Sequence, residues 1–147
     1  MSRPTECLYY LVSRATLATT AALRQELAAA GSVAGIRPSY LGVLMVLWLE
    51  DGLQASVLGR RAGLEPSSMT SVLDRMERDA LIRREADAED RRAQRIFLTD
   101  TGRRIEADVL AVVDRMLARA TDGISASDLE TTKATLQRML ANGRRVP

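Results

Sequence analysis

The stretch from Leu58 to Leu98 constrains this chain more than any other. It reads as two short helices around a tight turn, followed by two strands around a charged tip. Residues 53–62 predict a short helix, Gly63-Leu64-Glu65 a turn, and Pro66 the first turn of a second helix running to about Asp79. In that second helix Met69, Val72, Leu73 and Met76 fall at i, i+3, i+4 and i+7, which places them on one face. Ser67, Ser68, Thr70, Ser71, Asp74, Arg75 and Arg78 occupy the other. Leu81 to Glu85 and Ala93 to Leu98 predict two strands. Between them, Ala86-Asp87-Ala88-Glu89-Asp90-Arg91-Arg92 is too polar for any core and makes the tip of a long hairpin.

The flanks are helical. Residues 5–30 predict one long helix with Leu8, Leu11, Val12, Ala15, Ala18 and Ala22 on one face, and Leu17, Leu23 and Leu27 widen the stripe beyond one packing partner. A second helix is expected over about 38–50. Thr99 caps a helix over roughly 100–120, whose apolar positions form two adjacent stripes: Ile105, Val109, Val112, Met116, and Leu110, Val113, Leu117, Ala120. Ser125 with Asp128 resembles a capping box for a last helix to about Ala141, with Leu129, Leu136, Met139 and Leu140 inward and Arg144-Arg145-Val146-Pro147 as a tail. The expected fold is mainly α with a small β-hairpin, built as a single domain of 147 residues.

Composition excludes several functional classes. With no histidine the chain lacks the usual general base and the commonest metal ligand, and its one cysteine, Cys7, cannot form an internal disulfide or a thiolate cluster. No paired acids lie on an apolar face and no glycine loop cradles phosphate, so neither an enzyme, a metal site nor a cofactor is expected. No apolar run reaches a membrane span and nothing resembles a signal peptide, which makes a cytoplasmic location the default expectation. The net charge of +2 is concentrated. Residues 60–104 hold eleven arginines against nine acids, while the segments on either side each sum to zero. A basic middle suits a nucleic-acid module.

The chemistry of the central stretch agrees. Small hydroxyl side chains at a helix start can bond base edges or phosphates in a major groove while the Met/Val/Leu face holds the helix on its domain. An arginine-rich hairpin tip can reach the adjacent minor groove or backbone. The run Leu58 to Glu77, the strand Leu81-Ile82-Arg83-Arg84, the tip Asp87-Ala88-Glu89-Asp90-Arg91-Arg92 and the entry Ile96-Phe97-Leu98-Thr99 with Gly102 together resemble the MarR family of bacterial winged helix-turn-helix regulators. The resemblance covers nearly the whole chain. It implies a homodimer in which residues 1–35 and 100–147 interlock, a winged helix-turn-helix lobe over 36–99, and a ligand crevice between the two regions. It also implies a repressor that binds a pseudo-palindromic duplex operator and is released by a small-molecule effector. The DNA-contacting residues carried over are Ser67, Ser68, Thr70, Ser71, Arg75 and Arg92. Arg91 and Arg95 are further candidates from the charged run, and Asp90 is expected to steady the tip by pairing with an arginine. Three positions depart from the family pattern: Glu65 in place of a hydroxyl cap, Gly59 in place of alanine, and Ala80 in place of glycine before the wing, where a positive φ would strain it.

Tyr9, Tyr10, Arg14, Met45 and Trp48 are the candidates for lining the ligand crevice, Arg14 because a guanidinium can hold an anion. Cys7 beside Tyr9 and Tyr10 also resembles the arrangement in the organic hydroperoxide sensors of the family. Counted back from Ser13-Arg14, however, it stands one residue out of step, and one residue turns a helix by about 100°. Two alternatives to a ligand-released repressor therefore remain open: a peroxide-responsive switch through Cys7, and a protein-interaction module that has lost DNA binding.

Overall fold

In the computed structural model, which describes residues 3–143, the elements follow the order expected from the periodicities, with three local differences. Helix α1 spans Leu8–Ala29 and α2 spans Leu41–Leu49, the latter entered through a 3-10 turn at Pro38–Tyr40. Strand β1 (Leu53–Gln54) precedes α3 (Ala55–Ala62) and α4 (Pro66–Arg78). The hairpin β2 (Ile82–Ala86) and β3 (Gln94–Leu98) leads into α5 (Asp100–Arg104), α6 (Glu106–Ala120) and α7 (Ala126–Gly143). The Arg144–Pro147 tail lies outside the described residues.

The first difference is β1. Residues 53–62 were expected to be helical throughout, but Leu53 and Gln54 pair with Ile96 and Arg95 and complete an antiparallel sheet in the order β1-β3-β2. The second is a break at Ile105, with ψ −7°, in the expected 100–120 helix. Ile105 packs against both hydrophobic clusters of the molecule, as do Ile36 and Trp48. One cluster fills the space between α2, α3, α4 and the sheet, around Tyr40, Leu44, Leu47, Leu58, Met76 and Ile96. The other joins α1 to α6 through Leu23, Leu27, Val109, Val112 and Met116.

The third difference concerns α7. Leu129, Leu136, Met139 and Leu140 were expected to face inward, yet no residue of this helix is buried in the protomer, and Leu136, Met139 and Leu140 are 41%, 38% and 65% exposed. On α1, Leu8, Leu11 and Leu17 are exposed as well. The Ser125–Asp128 cap forms in altered shape. The Ser125 hydroxyl accepts from the Asp128 N–H at 3.1 Å but donates to the Asp128 carboxylate at 2.7 Å, so the carboxylate does not reach back to the backbone.

The junction between hairpin and α5 is tight. The Thr99 hydroxyl accepts from Gly102 N–H at 3.0 Å, as its capping role requires, and donates to Ala80 O at 2.6 Å. A Cβ on Gly102 would stand 2.2 Å from Leu81 O, so only glycine lets α5 approach the start of β2. Ala80 has φ 57°, the left-handed conformation that its family position implies, and carries it on a non-glycine residue. No helix among the described residues is long and apolar enough to cross a membrane.

Candidate nucleic-acid interface

Helix α4 is anchored from behind. Met69, Val72, Leu73 and Met76 are buried in the lobe core, and Ser67, Ser68, Thr70 and Ser71 are all exposed on the opposite face. Pro66 opens the helix. Glu65 at the cap position makes no side-chain cap bond, leaving its carbonyl to accept from Met69 N–H at 2.9 Å. The turn before it closes at Gly63, whose φ of 71° fits the left-handed residue after α3. At the far end, the Tyr40 hydroxyl donates to Asp79 Oδ2 at 2.6 Å, which ties the end of α4 to the start of α2. Burial, and then the bond to Asp79, push the Tyr40 phenol above its ordinary pKa.

The acids on the outer face of α4 are neutralised by the wing. Arg84 of β2 reaches Asp74 at 2.7 Å and Glu77 at 2.5 Å, which fixes the helix against the hairpin and removes negative charge that would oppose phosphate. Only contacts between elements reveal this role for Arg84. The sequence signal was its position in β2, where alternation puts Ile82 and Arg84 on the same face.

Asp87 belongs to the part of the tip expected to be wholly solvated, and it is instead buried. Its carboxylate accepts from Gln54 Nε2 at 2.9 Å and from the Glu89 and Asp90 N–H groups at 2.8 and 3.3 Å, and it pairs with Arg95 Nε at 2.8 Å. The Gln54 bond, the backbone N–H groups and the Arg95 charge outweigh desolvation and hold its pKa down to about 2. Asp90 does not steady the tip by pairing with an arginine side chain. Its Oδ1 accepts the Arg92 backbone N–H at 3.0 Å, and its carbonyl accepts from Ala93 N–H at 2.9 Å. Arg91 and Arg92 are left exposed on this pinned tip. Arg95 differs: its Nη1 also donates to Gly52 O at 2.9 Å, so the guanidinium expected to face DNA clamps the wing to the turn before β1.

Arg75 is half-buried at the inner edge of α4, and its Nε is buried without a hydrogen-bond partner among the described residues. Trp48 is built into the core with Nε1 donating to Gly102 O at 3.0 Å, Met45 is half-buried, and Tyr9 and Arg14 are exposed along α1. Cys7 is exposed immediately before α1.

Comparison with known proteins agrees with this geometry. Residues 34–93 match the model of the MarR family. The HTH-type transcriptional regulator TtmR of Methylorubrum extorquens is 34% identical over 102 residues, which is 69% of this chain and 49% of that protein, so the match spans about half of that relative's length. The crystal structure of a MarR family transcriptional regulator from Silicibacter pomeroyi is 32% identical, covers 95% of this chain and 90% of its own, and superposes with a TM-score of 0.73. CouR of Rhodococcus jostii, solved bound to p-coumaroyl-CoA, shares the fold with a TM-score of 0.81 at 24% identity, over 95% of this chain and 96% of that one. An α4 with a buried apolar back and a hydroxyl-lined front, braced by a wing, thus occurs in a chain that belongs to the MarR family of transcriptional regulators.

Proposed function

We propose that the chain acts as a homodimer that binds a pseudo-palindromic duplex operator, inserting α4 into the major groove and resting the wing tip beside it. We further propose that it is a repressor released by a small-molecule effector. The observation that carries this reading is the division of α4: four exposed hydroxyl side chains on one face, four buried apolar side chains on the other. On this reading Ser67, Ser68, Thr70 and Ser71 meet base edges and phosphates, and Arg91 and Arg92 meet backbone or minor groove. Arg75 reaches phosphate from the helix edge, and Arg95 serves by positioning the wing.

The unpartnered apolar faces of α1, α6 and α7 support the dimer. Leu8, Leu11, Leu17, Leu117, Leu136 and Leu140 are large apolar side chains left 41% to 65% exposed on these three helices, the kind of surface that an interaction covers. Two copies then present two α4 helices to successive major grooves. Release by an effector is supported by the bound ligand of CouR and by a population-shift argument: a ligand that favours a different spacing of the two lobes lowers affinity for the operator.

Selection of bound sequences from random duplexes tests the proposal. The wild type is expected to enrich a dyad-symmetric motif. Ser68→Leu and Thr70→Leu are each expected to lose about 1–3 kcal/mol of discrimination at the base pairs they face. Enrichment of the same motif, with the same preference, by both variants would overturn the placement of α4.

A further inference from the structure

Four carboxylates lie between residues 65 and 79, on α4 and its two flanks. Three are engaged: Asp74 and Glu77 with Arg84, and Asp79 with the Tyr40 hydroxyl. The fourth, Glu65, is exposed at the leading end of α4. It makes no side-chain cap bond, and among the described residues its carboxylate has no ion-pair partner. Its backbone does not depend on that side chain. The extended conformation, φ −66° and ψ 147°, is the one that the following Pro66 imposes, and the Glu65 carbonyl closes the first turn by accepting from Met69 N–H. Serine, threonine or aspartate at this position would cap the helix, whereas the glutamate side chain adds no bond to the fold. The helix dipole tolerates its charge, but an acid anywhere in the first turn would serve that end equally.

Glu65 lines a cleft of about 780 Å3 between α3, α4 and the wing, together with Thr70, Arg84 and Gln94. It therefore stands beside the hydroxyl face assigned above to DNA. Residues at the start of a recognition helix are the ones that reach base edges in a major groove. A carboxylate brings only acceptors there, so phosphate repels it. Guanine and thymine offer it acceptors, and adenine sets its N7 acceptor beside the N6 donor. Cytosine alone presents a donor, its N4 amino group, with no acceptor on its own major-groove edge.

We propose that Glu65 is a specificity-determining residue: it accepts a hydrogen bond from a cytosine N4 amino group at one position of each operator half-site and disfavours the other three bases there. The inference rests on the reading of α4 as the DNA-contacting helix. The unpaired carboxylate lowers affinity for every duplex through repulsion from phosphate, and only at cytosine does a bond offset that loss. Glu65 thus acts as much against the wrong bases as for the right one.

Selection from random duplexes by the full chain tests this with wild type, Glu65→Ala and Glu65→Gln, each shown to be folded by circular dichroism. Wild type is expected to prefer cytosine about tenfold at one half-site position. Glu65→Ala is expected to bring that preference within about twofold, to leave the other positions as they were, and to bind random duplex more tightly. Glu65→Gln is expected to move the preference from cytosine towards adenine, because an amide can bond N6 and N7 together. The cytosine so identified is then replaced by 2-pyrimidinone, which lacks the amino group. Wild type is expected to lose affinity about tenfold, and Glu65→Ala less than about twofold. The same motif with the same preferences in wild type and Glu65→Ala would overturn the assignment. So would a gain by the variants that is equal on all duplexes, or an equal loss by both proteins on 2-pyrimidinone. These results leave the reading of α4 standing where Ser68→Leu and Thr70→Leu still alter the motif. A wild type that selects no motif refutes that reading, and this inference with it.

Discussion

Two glycine-to-alanine substitutions, the same chemical change in two helices, are expected to move stability in opposite directions. Gly59 lies inside α3 and is buried. A Cβ there would meet Met69 Cγ at 3.5 Å and Sδ at 3.7 Å, ordinary van der Waals distances. Gly59→Ala therefore gains the helix propensity difference of about 0.8–1.0 kcal/mol and loses nothing to crowding. For a chain of this length the midpoint rises by about 3 °C per kcal/mol. Gly102 also lies in a helix, but its added Cβ would stand 2.2 Å from Leu81 O and 3.1 Å from Leu98 Cδ2. That carbonyl is backbone and already accepts Thr99 N–H at 3.0 Å, so it cannot swing aside. Overpacking of up to about 3 kcal/mol, with about 1 kcal/mol for the disturbed Thr99 bond, outweighs the propensity gain and leaves a net loss of about 2–3 kcal/mol. The assay is thermal unfolding followed by circular dichroism, with both variants and wild type at one protein concentration, because the proposed dimerisation would make the midpoint concentration-dependent. A Gly102→Ala variant as stable as wild type would refute the steric account of the α5 junction. A Gly59→Ala variant clearly less stable would refute the uncrowded contact with Met69 assigned to this position.

Further outcomes follow from other named residues. Ala80→Gly removes a left-handed strain of about 1–2 kcal/mol at the cost of about 0.5–1 kcal/mol of added chain entropy, so a small gain in unfolding free energy is expected; a loss would show that the Ala80 methyl packs usefully. Asp87 has a folded pKa held at about 2, below the ordinary carboxylate value, so its contribution is complete above about pH 4–5 and is lost as pH falls towards 2. Amide exchange of the wing should accelerate over that acid range in wild type, while Asp87→Asn should show fast exchange already at neutral pH; a variant wing as protected as wild type at pH 7 would contradict the latch. Met139→Glu with Leu140→Glu is expected to dissociate the proposed dimer, read by light scattering at micromolar concentration; a wild type that is dimeric with a variant of unchanged mass would remove α7 from the proposed interface.

The parts of this fold that sequence made legible are those with a period. The α4 face of Met69, Val72, Leu73 and Met76 was readable because four apolar residues share one side, and Thr99 because a hydroxyl before a helix has one common use. Strand β1 is two residues long, too short to show alternation, and exists only because Ile96 and Arg95 arrive to pair with it. Asp87 reads as one more acid in a charged run; its burial is decided by Gln54, 33 residues earlier in the chain. The same event redirects Arg95 from the surface to a clamp, and Arg84 is redirected by Asp74 and Glu77. The break falls at Ile105, whose side chain packs against both clusters, a tertiary feature that no local pattern records.

The central claim, that the α4 face and the wing tip of a dimer bind duplex DNA, is tested most directly by a salt titration of affinity for a selected operator and a random duplex, with wild type and Arg92→Ala. Arg92 is exposed on a tip held by Asp87 and Asp90, so its removal should leave the fold within about 0.5 kcal/mol of wild type. The account predicts that log affinity of the wild type falls linearly with log salt. It also predicts that Arg92→Ala weakens both duplexes together, and that its slope is shallower by about one for each phosphate that Arg92 neutralises in the wild type. A folded dimer with no salt-dependent affinity for any duplex would contradict the claim, and an Arg92→Ala variant with unchanged affinity and slope would remove the wing from the interface.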